Sequence, residues 1–111
     1  MQPFEIFLAE FEWKGCKDTR PWLVIEKTEE EHFNCFPISG QDYDNAAFRL
    51  DPADPDFPAT GLTKMCYIHD EKLYSLPPSS FKDHKGTLRG DLLARFLDFA
   101  GLNHLLPETD P

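Results

Sequence analysis

Two short clusters of bases stand out in a chain of 111 residues whose formal net charge is −9, from twenty acids against eleven bases. Lys14, Lys17 and Arg20 surround a single acid, Asp18; Lys82, Lys85 and Arg89 surround Asp83, with His84 among them. Either cluster alone reads as solvated loop charge. Brought to one face by the fold, the two would form a cationic groove able to hold single-stranded phosphates. Arg20 is the most informative member, because with Pro21 it stands directly before the apolar run Trp22-Leu23-Val24-Ile25. A guanidinium is planar and permanently charged, so it suits a bidentate grip on phosphate oxygens. It suits equally a salt bridge to Asp18 or to a glutamate of residues 29–31. The residues alone leave both open.

Other chemistries have less support. There is no Gly-rich phosphate loop and no Gly-x-Ser-x-Gly elbow. The histidines at 32, 69, 84 and 104 have no ligand spacing and read as surface or partly buried structural residues. Asp51, Asp54 and Asp56 are interrupted by prolines and lack an EF-hand pattern, so they read as a solvated loop. Cys16, Cys35 and Cys66 are an odd, widely spaced set without Cys-x-x-Cys, which fits neither a disulfide framework nor a zinc site. Cys35 and Cys66 lie in apolar runs and read as small buried hydrophobes. No metal and no cofactor are expected. The acidic balance disfavours general duplex binding, which depends on neutralising phosphates. The first ten residues carry two glutamates and no cationic region, and no apolar stretch reaches membrane-spanning length. A reduced, cytoplasmic setting with no membrane partner is the expectation.

The elements that must position these residues are mostly strands. In residues 4–13, Phe7, Ala9, Phe11 and Trp13 share one face, and Phe4, Ile6 and Leu8 share the other before Glu10 and Glu12 take over. Residues 21–27 form a second strand with Pro21 at its entrance, and residues 32–38 an aromatic third broken by Pro37. Short strands are expected at 46–50, 62–70 and 73–76. Three prolines and three aspartates make 51–60 an exposed irregular loop, whose mobility the composition leaves open. Residues 79–86 read as a helical turn or loop. Leu92, Leu93, Phe96, Leu97 and Ala100 then build one apolar helical face, with Gly101 as its stop and no Ser or Thr cap at its start. Strands followed by one helix exclude a doubly wound parallel sheet. The expected fold is mainly β: a small, strongly curved antiparallel barrel of five to seven short strands with a C-terminal α-helix. One domain over 1–106 and a polar tail over 107–111 complete it. Strands this aromatic are also expected to leave apolar surface uncovered.

In this order the chain resembles the MazF/PemK family of toxin–antitoxin toxins, small RNA-cleaving proteins with an SH3-like barrel. "IFLAEF" resembles the family's first strand, and Arg20-Pro21-Trp22-Leu23-Val24-Ile25 its Arg-Pro-apolar strand. "PISGQ" at 37–41 resembles a Pro-Ile-Thr-Ser-Gln element. Gly61-Leu62 and the strand reaching Asp70 resemble the following piece, and "KGTLRGDLLARFLDFAGL" the closing turn and helix. The resemblance implies a metal-independent endoribonuclease acting on single-stranded RNA through attack of a ribose 2′-hydroxyl, a cognate antitoxin and a homodimer. It implies Arg20 as the partner of the transition-state charge, Ser39 in place of the hydroxyl-bearing threonine, and Asp70 at the family's aspartate. Lys14, Lys17, Thr19, Gln41, Lys85 and Arg89 become RNA contacts. The chain departs from the pattern at Gln2-Pro3, Thr19, Gly40 and Ile68, which leaves the proton acceptor among Asp70, His69 and Glu12. A catalytically inactive binding module and a gyrase-directed toxin of the same fold are the alternatives implied.

Overall fold

The computed structural model describes residues 2–13, 15–41 and 46–105, so Lys14 and the expected 107–111 tail lie outside the described residues. Seven strands form among the described residues: β1 (Glu5–Trp13), β2 (Cys16–Lys27), β3 (Phe33–Ser39), β4 (Phe48–Leu50), β5 (Cys66–Ile68), β6 (Tyr74–Leu76) and β7 (Phe81–Thr87). They join into one curled antiparallel sheet in the order β4-β5-β3-β2-β1-β7, and a single helix, α1 (Gly90–Ala100), follows. Along its outer edge β3 is shared: Phe33–Cys35 pair with β6, whereas Ile38 and Ser39 pair with β5.

Alternation along the strands explains the two apolar clusters. Phe4, Ile6, Leu23, Ile25, Phe36 and Ile38 point to one side of the sheet, where α1 lays Leu92, Leu93, Phe96 and Leu97 over them. Ala9, Trp22, Val24, Phe33, Cys35 and Leu76 make the cluster on the other side, with Phe7, Phe11, Tyr74 and Phe81 packed against it. The two faces expected of residues 4–13 are therefore both used. Trp22 to Ile25 form a continuous apolar run because each face of β2 is covered. Burial pushes the Cys35 thiol up to about 12, as befits an inert core cysteine.

Several expectations are corrected. The second strand begins at Cys16, so Pro21, expected at its entrance, lies within it, and the third runs on through Pro37, expected to break it. Of residues 79–86, expected as a helical turn or loop, only the start fits, in the 3-10 turn Pro78–Ser80; Phe81–Thr87 are strand β7, which pairs with β1 through two register shifts. Its central residues 82–85 are all exposed, so an edge strand held by backbone bonds left no apolar pattern to read. Among the described residues, the apolar surface expected from the aromatic strands is largely taken inside, and the exposed large apolar side chains are Met65, Leu73 and Phe99.

A further correction concerns the Pro/Asp loop, which is tied down at several points. Asp51 Oδ1 accepts from the Ala53 N–H and Asp54 Oδ1 from the Asp56 N–H, both at 2.9 Å. Arg95 donates Nε to Asp91 Oδ2 at 2.8 Å and Nη2 to Asp54 Oδ2, joining loop to helix. The absent local N-cap is replaced from a distance, because Asp56 Oδ2 accepts from the Leu92 N–H at 3.3 Å. Gly90 has φ +65, and a Cβ there would sit 2.7 Å from the Asp56 carboxylate, so glycine admits this remote cap. Gly101 ends the helix in the left-handed region with φ +72.

The Asp56 backbone N–H, with Arg95 adding to it, holds the Asp54 carboxyl below its ordinary range. A carboxyl depressed in the folded state contributes stability that is present above its unfolded pKa, about 4, and lost as pH falls through the lower folded value. Asp54→Asn should therefore lower the urea midpoint at pH 7, and the difference from the parent should shrink steadily below pH 4.

Candidate active site

The register of β2 and β3 builds the site. Trp22 pairs with Pro37, and two residues further along each strand come Arg20 and Ser39, on the same face as Trp22. On the other side of β2, Ala9 of β1 pairs with Arg20 and Phe11 with Asp18. His69 comes from the end of β5, where its backbone N–H donates to the Pro37 carbonyl at 3.0 Å. That bond carries the β3–β5 pairing one step beyond Ile68 and sets the imidazole next to Ser39.

The result is a tight constellation. Ser39 Oγ lies 2.6 Å from His69 Nε2, within reach of proton transfer. Ser39 Oγ is also 2.9 Å from the Gln41 carbonyl and accepts from the Gln41 N–H at 3.3 Å, so the short loop after β3 fixes the hydroxyl. Arg20 donates Nε to Asp18 Oδ2 at 2.8 Å, and its Nη2 reaches the same oxygen. The salt bridge that the residues alone allowed is therefore made. It involves two of the three guanidinium nitrogens and leaves the side chain 37% exposed, so Asp18 aims the group without hiding it.

Two hollows meet at these residues. One is a cleft of about 200 Å³ walled by Phe11, Trp22, Pro37 and Tyr74, with His69, Glu71 and Lys72 at its rim. The other is a shallower groove of about 390 Å³ lined by Thr19, Gly40, Thr63, Lys64 and Lys85 among others. Asp18, Arg20 and Ser39 line both. The two basic clusters thus meet in part: Arg20 and Lys85 share a groove, and Lys64, which sequence reading missed, joins them.

The remaining expected residues are placed differently. Lys17 points to Glu10 at 3.8 Å and is 73% exposed. Arg89 is exposed at the start of α1 and lines neither hollow. Gln41 is exposed and contributes its backbone to Ser39. Asp70 lines neither hollow, and desolvation raises its carboxyl above the ordinary range. Glu12 is exposed on β1, opposite Lys17. Of the three acceptors considered, His69 is the one hydrogen-bonded inside the cleft. Alternation would have found it, given the β3–β5 pairing that no local pattern announces.

Lys85 reaches the groove because two glycines let the chain cross itself closely. A Cβ on Gly61 would overlap the Lys85 carbonyl, and one on Gly86 would overlap the Ala59 carbonyl. Gly61 also has φ +74, at the end of the 3-10 turn Pro58–Thr60.

A curled antiparallel sheet with one closing helix is the fold of the MazF-type toxins. The solved Mycobacterium tuberculosis toxin MazF-mt6 superposes with a TM-score of 0.66 at 14% identity, covering 94% of this chain and 99% of that one. An endoribonuclease in complex with its cognate antitoxin, from a mycobacterial species, gives 0.65 at 12% identity over 98% and 97% of the two chains. No family model and no curated protein matches the sequence. Among the described residues, no helix is long and apolar enough to cross a membrane.

Gly86→Ala should cost about 1–3 kcal/mol, the scale of overpacking, because the opposing atoms are backbone and cannot rotate away. Chemical denaturation measures it; the exposed and unobstructed Gly15, replaced only to the extent its φ of +82 allows, is the comparison for backbone strain without a clash.

Proposed function

We propose that the protein is a metal-independent endoribonuclease that cleaves single-stranded RNA, the toxin of a toxin–antitoxin pair. The observation that carries this reading is the junction itself, where a partly exposed arginine and a serine–histidine pair stand between a basic groove and an aromatic cleft. The ribose 2′-oxygen bonds to phosphorus while the bond to the 5′-oxygen breaks, leaving a 2′,3′-cyclic phosphate. Ser39 Oγ accepts from His69 Nε2–H and turns its single O–H from the Gln41 carbonyl to a phosphate oxygen, His69 takes the 2′-hydroxyl proton on its other ring nitrogen, and water protonates the departing 5′-oxygen. Arg20 bears the charge that grows on the phosphorane oxygens, which is the step where a preorganised cation has most effect. Lys64 and Lys85 hold the neighbouring phosphates, and Thr19 supplies a hydroxyl at the edge of the groove. Asp70 then has no direct part.

The antitoxin reading is supported by the neighbour solved with its cognate antitoxin. A homodimer and a cytoplasmic setting accompany it, the first because two-fold pairing is the commonest assembly. A second reading has one observation in its favour. The net charge of −9 and the Asp18 carboxylate beside Arg20 both repel RNA, as would suit a binding module of this fold that has lost cleavage.

Cleavage of single-stranded RNA in excess EDTA, with a cyclic phosphate or its 3′-phosphate at the new end, is the test. Arg20→Ala should lower the rate by about a hundredfold or more, the scale of losing one transition-state charge partner. His69→Ala should lose activity that added imidazole restores in part, a response that a purely structural histidine would not give. Absence of cleavage from every RNA tried would favour the binding module.

A further inference from the structure

Outside both hollows, a row of side chains runs from Ser39 to the far edge of the sheet. Ser39 pairs with Tyr67 on β5, and Tyr67 pairs on its other side with Arg49 on β4, the terminal strand. Paired residues share a face. Here it is the outer face, because the neighbours Ile38, Ile68, Phe48 and Leu50 turn toward the core under α1. Arg20 stands on the β2 side of Ser39, two residues on from the Trp22–Pro37 pair, so the row crosses β2, β3, β5 and β4. Neighbouring strands lie about 4.8 Å apart, which sets the Arg49 Cα about 10 Å beyond that of Ser39. Between them Tyr67 is half-buried, and its hydroxyl donates to Met65 Sδ at 3.5 Å. Arg49 is exposed and makes no ion pair among the described residues, although the chain has twenty acids against eleven bases.

We infer that Arg49 is a second phosphate seat, which draws a single strand from Arg20 across β5 to the edge of the sheet. It depends on the phosphate reading of Arg20 and not on cleavage. Three features select this occupant. A phosphodiester chain repeats its charge at intervals with neutral sugar between, and the row repeats the complement: a guanidinium, a hydroxyl and a phenol, then a second guanidinium. Arg49 has no described carboxylate on it, whereas Arg20 carries Asp18, so the planar fork of Arg49 is open to two phosphate oxygens. The row is also continuous with the place where the strand is already held, since it starts at Arg20 and Ser39. An edge strand commonly bears a charge that blocks pairing with another sheet. That role needs no alignment with Ser39 and no particular sign. An acidic segment of a protein partner would meet Arg49 as well, but its charges would have to be spaced to fit the row, whereas the spacing of a phosphodiester is built in.

The test uses two 2′-deoxy ligands that cannot be cleaved by attack of a 2′-hydroxyl: a thymidine octanucleotide and the thymidine dinucleotide with its single phosphate. Base identity is immaterial, because phosphate contacts carry no sequence information. Affinity is titrated against salt for the parent, Arg49→Ala, Arg49→Lys and Arg20→Ala. Arg49→Ala should weaken the octanucleotide and flatten its log–log salt slope by about 0.7, the share of one phosphate on a single strand. It should leave the dinucleotide unchanged, and Arg49→Lys should keep the parent slope. Arg20→Ala should weaken both ligands. Equal octanucleotide slopes in the parent and Arg49→Ala would overturn the second seat and leave the phosphate reading of Arg20 intact. Equal loss of both ligands in Arg49→Ala would mean that Arg49 supports the fold, and would overturn it too. Binding of neither ligand to the parent would overturn both readings. Arg49-dependent binding of a hexaglutamate peptide, with the octanucleotide indifferent to Arg49, would assign the row to a protein partner and overturn the inference.

Discussion

Everything at the site depends on β2 being packed on both faces. Trp22 and Val24 are buried on one side, Leu23 and Ile25 on the other. A slip of one residue against β3 would exchange the two sets and force indole into the space filled by Leu23. The register is therefore fixed by packing, far more firmly than by the polar residues that follow from it. Arg20 opposite Ala9, and Ser39 two residues beyond Pro37, are consequences of that register. The functional groups need supply no stability of their own. They stand where the buried strand emerges, one step outside the core.

The charge distribution follows the same geometry. An acidic chain can still present a cationic groove when the acids are committed elsewhere. Asp54 and Asp91 are bound to Arg95, Asp56 caps α1, Glu5 sits 3.0 Å from His84, and Glu10 reaches Lys17. What is left along the groove is Arg20, Lys64 and Lys85 against Asp18. The Asp18–Arg20 pair is exposed enough for solvent to screen it, so its main effect is to orient the guanidinium rather than to hold the fold together.

How far the fold could be read in advance depended on whether an element has an apolar face. The helix announced itself through Leu92, Leu93, Phe96 and Leu97, and β1 and β2 through alternation, since each buries a stripe with its own period. Strand β7 has no such stripe and was hidden for that reason. The order of the Pro/Asp loop was hidden as well, because its ties run 36 residues from Asp56 to Leu92 and 41 from Asp54 to Arg95. Arg20 and Ser39 were legible because each adjoins an apolar run that fixes its strand. His69 was legible only as one of three possible acceptors and Lys64 not at all, since both owe their place to contacts between segments with no local signature.

The central claim is that the meeting point of cleft and groove receives the phosphates of a single strand. Mapping amide and side-chain resonances while titrating a 2′-deoxy oligonucleotide tests it most directly. The account predicts that the Arg20 Nε–H, the Gln41 N–H and the Lys85 N–H shift together along one saturation curve, with smaller changes at Lys17 and Arg89. Shifts centred on Arg89 and the start of α1, with Arg20 and Gln41 unmoved, would contradict it.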